Sequence, residues 1–159
     1  IIDALVARGA GAEQAGLIAA VAHGRIGNAL TLYADRDALA AQRQLAASGL
    51  TMIEDPLAAL GAARRLADTF RRGQRDTVRE QLDVLLGLWR DLTLLAGDCR
   101  DLAVNVDMVD RLAPLATTWG IAGTYRGLRA TYEALGDLEA NVQPRLALVR
   151  MVTAWPIRR

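Results

Sequence analysis

The chain has 159 residues, 52% hydrophobic and 4% aromatic, with 19 basic against 18 acidic side chains and a net charge of +1. That length fits one ordinary domain, or one domain and part of another, with an aliphatic core large enough to stand without staples. The near-zero charge removes the sequence-independent attraction to nucleic acid for the chain as a whole, and a single cysteine, Cys99, excludes an intrachain disulfide or a cysteine-ligated zinc cluster.

Residues 1–8 read as the end of a short helix broken by Gly9 and Gly11. A second short helix is expected over 13–22, with Leu17, Ile18 and Val21 on its apolar side and His23-Gly24 as its stop. A third runs over 26–33. Asp35-Arg36-Asp37 marks a junction, where Asp35 or Asp37 can cap a helix over 37–47 that Ser48-Gly49 ends. Asp55-Pro56 is an N-cap followed by a proline in the first turn. Leu57, Leu60, Ala63, Ala67 and Phe70 keep helical spacing until Arg72-Gly73. Arg64, Arg65, Arg71, Arg72 and Arg75 cluster near that end, where cations complement the helix dipole.

Two long seams follow. Val78, Leu82, Leu85, Trp89, Leu92 and Ala96 are spaced alternately by four and three, the pattern of helices packed lengthwise. Arg79, Asp83, Arg90 and Asp91 lie off that seam. After Gly97-Asp98, Asp107 is placed to cap a helix reaching about Thr117. The second seam, Ile121, Tyr125, Leu128, Tyr132 and Leu135, predicts another core-facing helix. The last helix starts at Pro144 and stops before Pro156. It is apolar nearly all round, which predicts burial on several sides, and it is too short for a bilayer. Leu146, Val149 and Val152 form one stripe, expected to dock on the two seams. Leu148, Met151 and Trp155 form another, expected with Arg145 to face a partner subunit. The whole reads as an all-α helical bundle.

Motifs for chemistry are sparse. There is no Gly-rich Lys-Ser/Thr loop to cradle phosphate, and the only histidine, His23, has no partner at metal-ligand spacing. Asp98, Asp101, Asp107 and Asp110 crowd a turn and a helix start, where capping accounts for them. Cys99 has no nearby histidine to activate it. Trp89, Trp119 and Trp155 fit core or interface anchors. The residues therefore indicate no catalytic, cofactor-binding or metal site, and they lack the inward polar ligands of a cofactor-holding or enzymatic bundle.

Three stretches, taken together, resemble the C-terminal part of clamp-loader subunits of bacterial DNA polymerase III, the delta-prime type of the AAA+ family. His23-Gly24-Arg25-Ile26-Gly27-Asn28-Ala29-Leu30-Thr31-Leu32, followed by Asp35, is similar to the end of the AAA+ lid. Leu88-Trp89-Arg90-Asp91-Leu92 with Asn105-Val106-Asp107 is similar to the middle of the collar domain. Asn141-Val142-Gln143-Pro144-Arg145-Leu146-Ala147-Leu148 is similar to its last helix. The resemblance implies a lid remnant over 1–34 and an oligomerisation collar over 35–159. It implies partnership with the delta and gamma/tau subunits in a five-membered ring that opens the sliding clamp on primed DNA. It also implies only indirect contact with DNA, no membrane contact, no bound cofactor and a cytoplasmic location. The gamma/tau subunit, with a similar collar, is the alternative within the family. Its lid carries an ATP-contacting arginine where this chain has Gly27, with Arg25 two residues early, which favours the delta-prime type. Gln143 stands where an asparagine is usual, and Val149-Arg150-Met151 replaces a Glu- and Leu-rich pattern. The first residues, Ile1-Ile2-Asp3, show no signal-peptide pattern, and the missing initiator methionine fits a piece of a longer protein.

Overall fold

A computed structural model describes residues 1–22 and 26–157. The described chain is all-α, 83% helical and without strands, in eight helices. These are α1 (Ile2–Val6), α2 (Ala12–Val21), α3 (Ile26–Ala34), α4 (Arg36–Glu54), α5 (Pro56–Arg71), α6 (Arg75–Ala96), α7 (Val109–Glu139) and α8 (Pro144–Ala154). His23, Gly24 and Arg25, and with them the expected stop of α2, lie outside the described residues.

Buried apolar side chains fall into two clusters. The smaller joins Leu5, Ala10, Ala15, Ile18, Ala22, Ala29 and Leu32 of the first three helices, and Ala38 and Leu39 of α4 pack against it. Tyr33 closes this unit by donating its hydroxyl to Arg8 O at 2.9 Å. The larger cluster is the centre of a five-helix bundle, α4 to α8, in which α6 packs along α7 and α8 lies across α5 and α7. Its apolar floor is the first seam: Val78, Leu82, Leu85, Trp89 and Leu92 are all fully buried.

Caps set the helix starts. Asp35 accepts from the amides of Asp37 and Ala38, and Asp55 accepts from the amide of Leu57 ahead of Pro56. Each satisfies amides that have no partner within the helix. Gln143 makes no side-chain cap bond, so α8 rests on Pro144 and on packing.

Two expectations are corrected. Ser48-Gly49 does not end a helix: α4 continues to Glu54. Gly49 is there because α4 crosses α6 closely, and a Cβ on it would stand 3.1 Å from Leu88 Cδ1. Asp107 does not cap α7. It pairs with Arg43 of α4 at 3.1 Å, and α7 begins from a 3₁₀ turn over Val106–Met108. The helix expected to reach about Thr117 is interrupted just beyond it: α7 is two helical stretches joined across a kink at Gly120, whose φ of 60° and ψ of −178° belong to a region that only glycine occupies readily.

Candidate functional site

The bend at Gly120 and the small residues beyond it decide which face of α7 is outside. Thr124, Gly127, Ala130, Thr131, Ala134 and Leu138 face inward. All but Leu138 are small, and Trp89 of α6 fills the space that Gly127 leaves. A Cβ on Gly127 would lie 2.5 Å from the Trp89 ring. The ring is flanked by Trp119 at 5.7 Å and, edge-on, by Trp155 at 5.4 Å, a spacing and tilt that aromatic pairs favour. Trp155 Nε1 donates to Thr131 Oγ1 at 3.1 Å, which in turn donates to Gly127 O at 2.9 Å. The three tryptophans therefore lock α6, α7 and the end of α8 together.

Three large side chains on the opposite face of α7 beyond the bend are consequently turned to solvent. Ile121 is 56% exposed, Tyr125 55% and Tyr132 69%. The second seam is thus not core. Leu128 and Leu135 are only half-buried along its edge. Four residues of one helix, at steps of four, three and four, form an apolar and aromatic stripe of the kind that marks an interaction surface. Arg129 and Glu133 flank it, joined at 2.7 Å. That hydrogen bond first, and the carboxylate's charge second, raise the arginine above its ordinary pKa. The usable signal for this face was the companion spacing of Thr124, Gly127, Thr131 and Ala134, since small residues at helical intervals mark a close helix crossing.

The residues expected to form the interface sit otherwise. Leu148 and Met151 are fully buried and Trp155 nearly so, all within the larger cluster. The two stripes of α8 are exchanged: Leu146 is 60% exposed, with Val149 and Val152 half-buried. The physical reason is that α8 docks by its Ala147–Leu148–Met151 side onto α5 and α7, where Trp155 completes the tryptophan cluster. Arg145 is exposed and is the only one of the four on the outer surface.

The acidic residues near the α6–α7 turn do not converge. Asp107 binds Arg43, and Asp110 lies fully exposed, 3.6 Å from Arg100. No group of three metal-ligating side chains occurs among the described residues. Cys99 is exposed, its thiol 3.4 Å from Gly97 O. Asp91, expected on the open side of α6, is instead fully buried. Among the described residues, no helix is long and apolar enough to cross a membrane. No family profile, curated protein or solved structure matches the chain.

Proposed function

We propose that the chain is a subunit-assembly module, the collar and part of the lid of a delta-prime-type clamp-loader subunit, which joins delta and gamma/tau subunits and carries no catalysis of its own. The stripe of Ile121, Tyr125, Leu128 and Tyr132 is the observation that supports this reading best. Half-exposed tyrosines beside aliphatic side chains supply the large rigid contact area that anchors subunit interfaces. A five-helix bundle preceded by a three-helix unit with its own small core is compatible with a collar following a lid. Gly27 is exposed and offers no charge to a nucleotide phosphate, in keeping with a subunit that does not turn over ATP. In this reading the protein acts in the cytoplasm and meets DNA only through the assembled complex.

Reconstitution of the full-length protein with delta and gamma/tau subunits tests it. Co-elution is expected for the wild type and is lost in Tyr125→Asp/Tyr132→Asp, while the circular dichroism of the variant stays helical. A full-length protein that never co-elutes with these subunits refutes the reading. A variant that assembles as well as wild type moves the contact off α7.

A further inference from the structure

We propose that the arginine-bearing outer face of α5, together with the cavity at its C-terminal end, docks an acidic helix of a neighbouring subunit that carries an aliphatic side chain. The proposal rests on the reading of the chain as an assembly module that joins two kinds of subunit, and it places a second contact outside the α7 stripe.

Between Arg64 and Arg75 the chain has five arginines against one acid, Asp68. Arg64, Arg65, Arg71, Arg72 and Arg75 are all exposed. A helix dipole attracts cations only within the last turn, which accounts for Arg71 and Arg72 but not for Arg64 and Arg65. The buried face of α5 is Ala59, Ala62, Ala63 and Ala67. Opposite it, Leu57, Gly61, Arg64, Arg65, Asp68 and Arg72 follow one another at helical steps, a ridge about 22 Å long. Leu57, at one end, is 81% exposed. Gly61 leaves room for Arg65 to lie along the ridge: a Cβ there would stand 3.3 Å from Arg65 Nη1.

At the other end is a cavity of about 220 Å³ between α5, α6 and α7. Phe70, Leu135 and Leu138 give it an apolar lining, and Arg75, Asp76, Arg79 and Glu139 complete its wall. Both arginines of the wall are held in place. Arg75 Cζ is 5.1 Å from the centre of the Phe70 ring, within cation–π range, and Arg79 pairs with Glu139 at 2.9 Å. Guanidinium groups make forked bonds to carboxylates and keep their stems against apolar surface. A helix with carboxylates one turn apart therefore matches the ridge, and an aliphatic side chain on it fits the cavity. A phosphate backbone fits less well. Asp68 stands in the middle of the ridge and repels it, and α5 has no exposed aromatic ring on which a base could stack.

Pairwise titration of the full-length protein with delta and with gamma/tau subunits, read by sedimentation velocity, provides the test. Arg64→Glu/Arg65→Glu should raise the dissociation constant for one of the two about tenfold or more, the scale of a like-charge juxtaposition, and leave the other unchanged. The loss should shrink in high salt, where exposed charge pairs are screened. Arg64→Gln/Arg65→Gln should give a smaller loss for the same subunit, and it serves if the reversed variant fails to fold. Arg8→Glu/Arg100→Glu, the same charge change elsewhere on the exposed surface, should alter neither affinity. If neither affinity responds to the α5 reversal, or the two double reversals weaken binding equally, the proposal is overturned while the assembly reading stands. A full-length protein that binds neither subunit refutes that reading, and this contact with it. Binding of duplex DNA that the α5 reversal removes, with both subunit affinities unchanged, assigns the face to phosphate and likewise overturns the proposal.

Discussion

The Asp91 carboxylate is fully buried and holds the chain that turns from α6 to α7. Its Oδ2 accepts from the amides of Val104 at 3.1 Å and Asn105 at 2.7 Å, and from Asn105 Nδ2 at 2.8 Å. Its Oδ1 accepts from Nε and Nη2 of Arg90. A buried charge is tolerated only when paired and hydrogen-bonded, and here every lone-pair direction is used. Asp91→Ala strands two backbone donors and a side-chain amide, and should cost about 3 kcal/mol, the scale of breaking a buried polar cluster. Denaturant titration measures that cost, and a loss under about 0.5 kcal/mol, typical of surface changes, would mean the turn is held otherwise. Glycine makes a second residue-scale contrast within α7. Gly127→Ala drives a methyl to 2.5 Å from Trp89, so overpacking of about 1–3 kcal/mol is expected. Gly136 lies exposed on the same helix with nothing within 4 Å of an added Cβ. Gly136→Ala should therefore stabilise by about 0.5–1 kcal/mol through helix propensity. The same substitution thus changes sign over nine positions, and thermal melts of the two variants report it.

At the scale of the element, α8 shows what an almost uniformly apolar helix leaves undetermined. Leu148→Asp places a charge in a fully buried site and should abolish the native fold, because an unpaired buried carboxylate costs several kcal/mol. Leu146→Asp, two residues away on the exposed side, should leave the circular dichroism and melting midpoint nearly unchanged. The opposite pattern would restore Leu148 to an outer face. Helix identity was legible in the sequence wherever local chemistry acts alone. Asp55-Pro56 and Pro144 start helices, and Gly73 and Gly97 follow their ends. Which face each helix buries was legible for α6, where one apolar stripe opposes a charged one. It was not legible for α7 and α8. There the choice belongs to Trp89, whose bulk selects the small-residue face of α7 and leaves Tyr125 and Tyr132 outside. Glycines misled for a related reason. Gly49 reads as a stop by propensity, yet it sits inside α4 to let Leu85 and Leu88 approach. Gly97, at a true end, looks the same in the sequence. The candidate surface was therefore visible only as the wrong half of a correctly placed pair of helices.

For the molecule as a whole, stability should be unevenly divided between the two clusters. The buried members of the smaller one are Leu5, Ile18 and Leu32 with four alanines, among the described residues. The larger one gathers leucines from α4, α6, α7 and α8 and four alanines of α5 with Trp89 and Trp155, and Trp119 packs against it. Apolar burial stabilises roughly in proportion to area, about 25 cal/mol per Å², and alanine contributes little of it. The short helices α1 to α3 also make few turns each, so they depend on that small core rather than on their own propensity. One continuous helix, α4, links the units: Ala38 and Leu39 near its start touch the small cluster, while Ala46, Leu50 and Ile53 lie in the large one. Sub-global opening of α1 to α3 should thus occur without loss of the bundle, with α4 fraying from its N-terminal end. Native-state hydrogen exchange is expected to show fast amides in α1 to α3, a gradient along α4, and the slowest amides in α6 between Leu82 and Leu92. Ile18→Ala should accelerate exchange in the first three helices and leave the α6 amides unchanged. Uniform acceleration through α6 would instead show that the two clusters unfold as one unit, with α4 transmitting the loss across the whole chain.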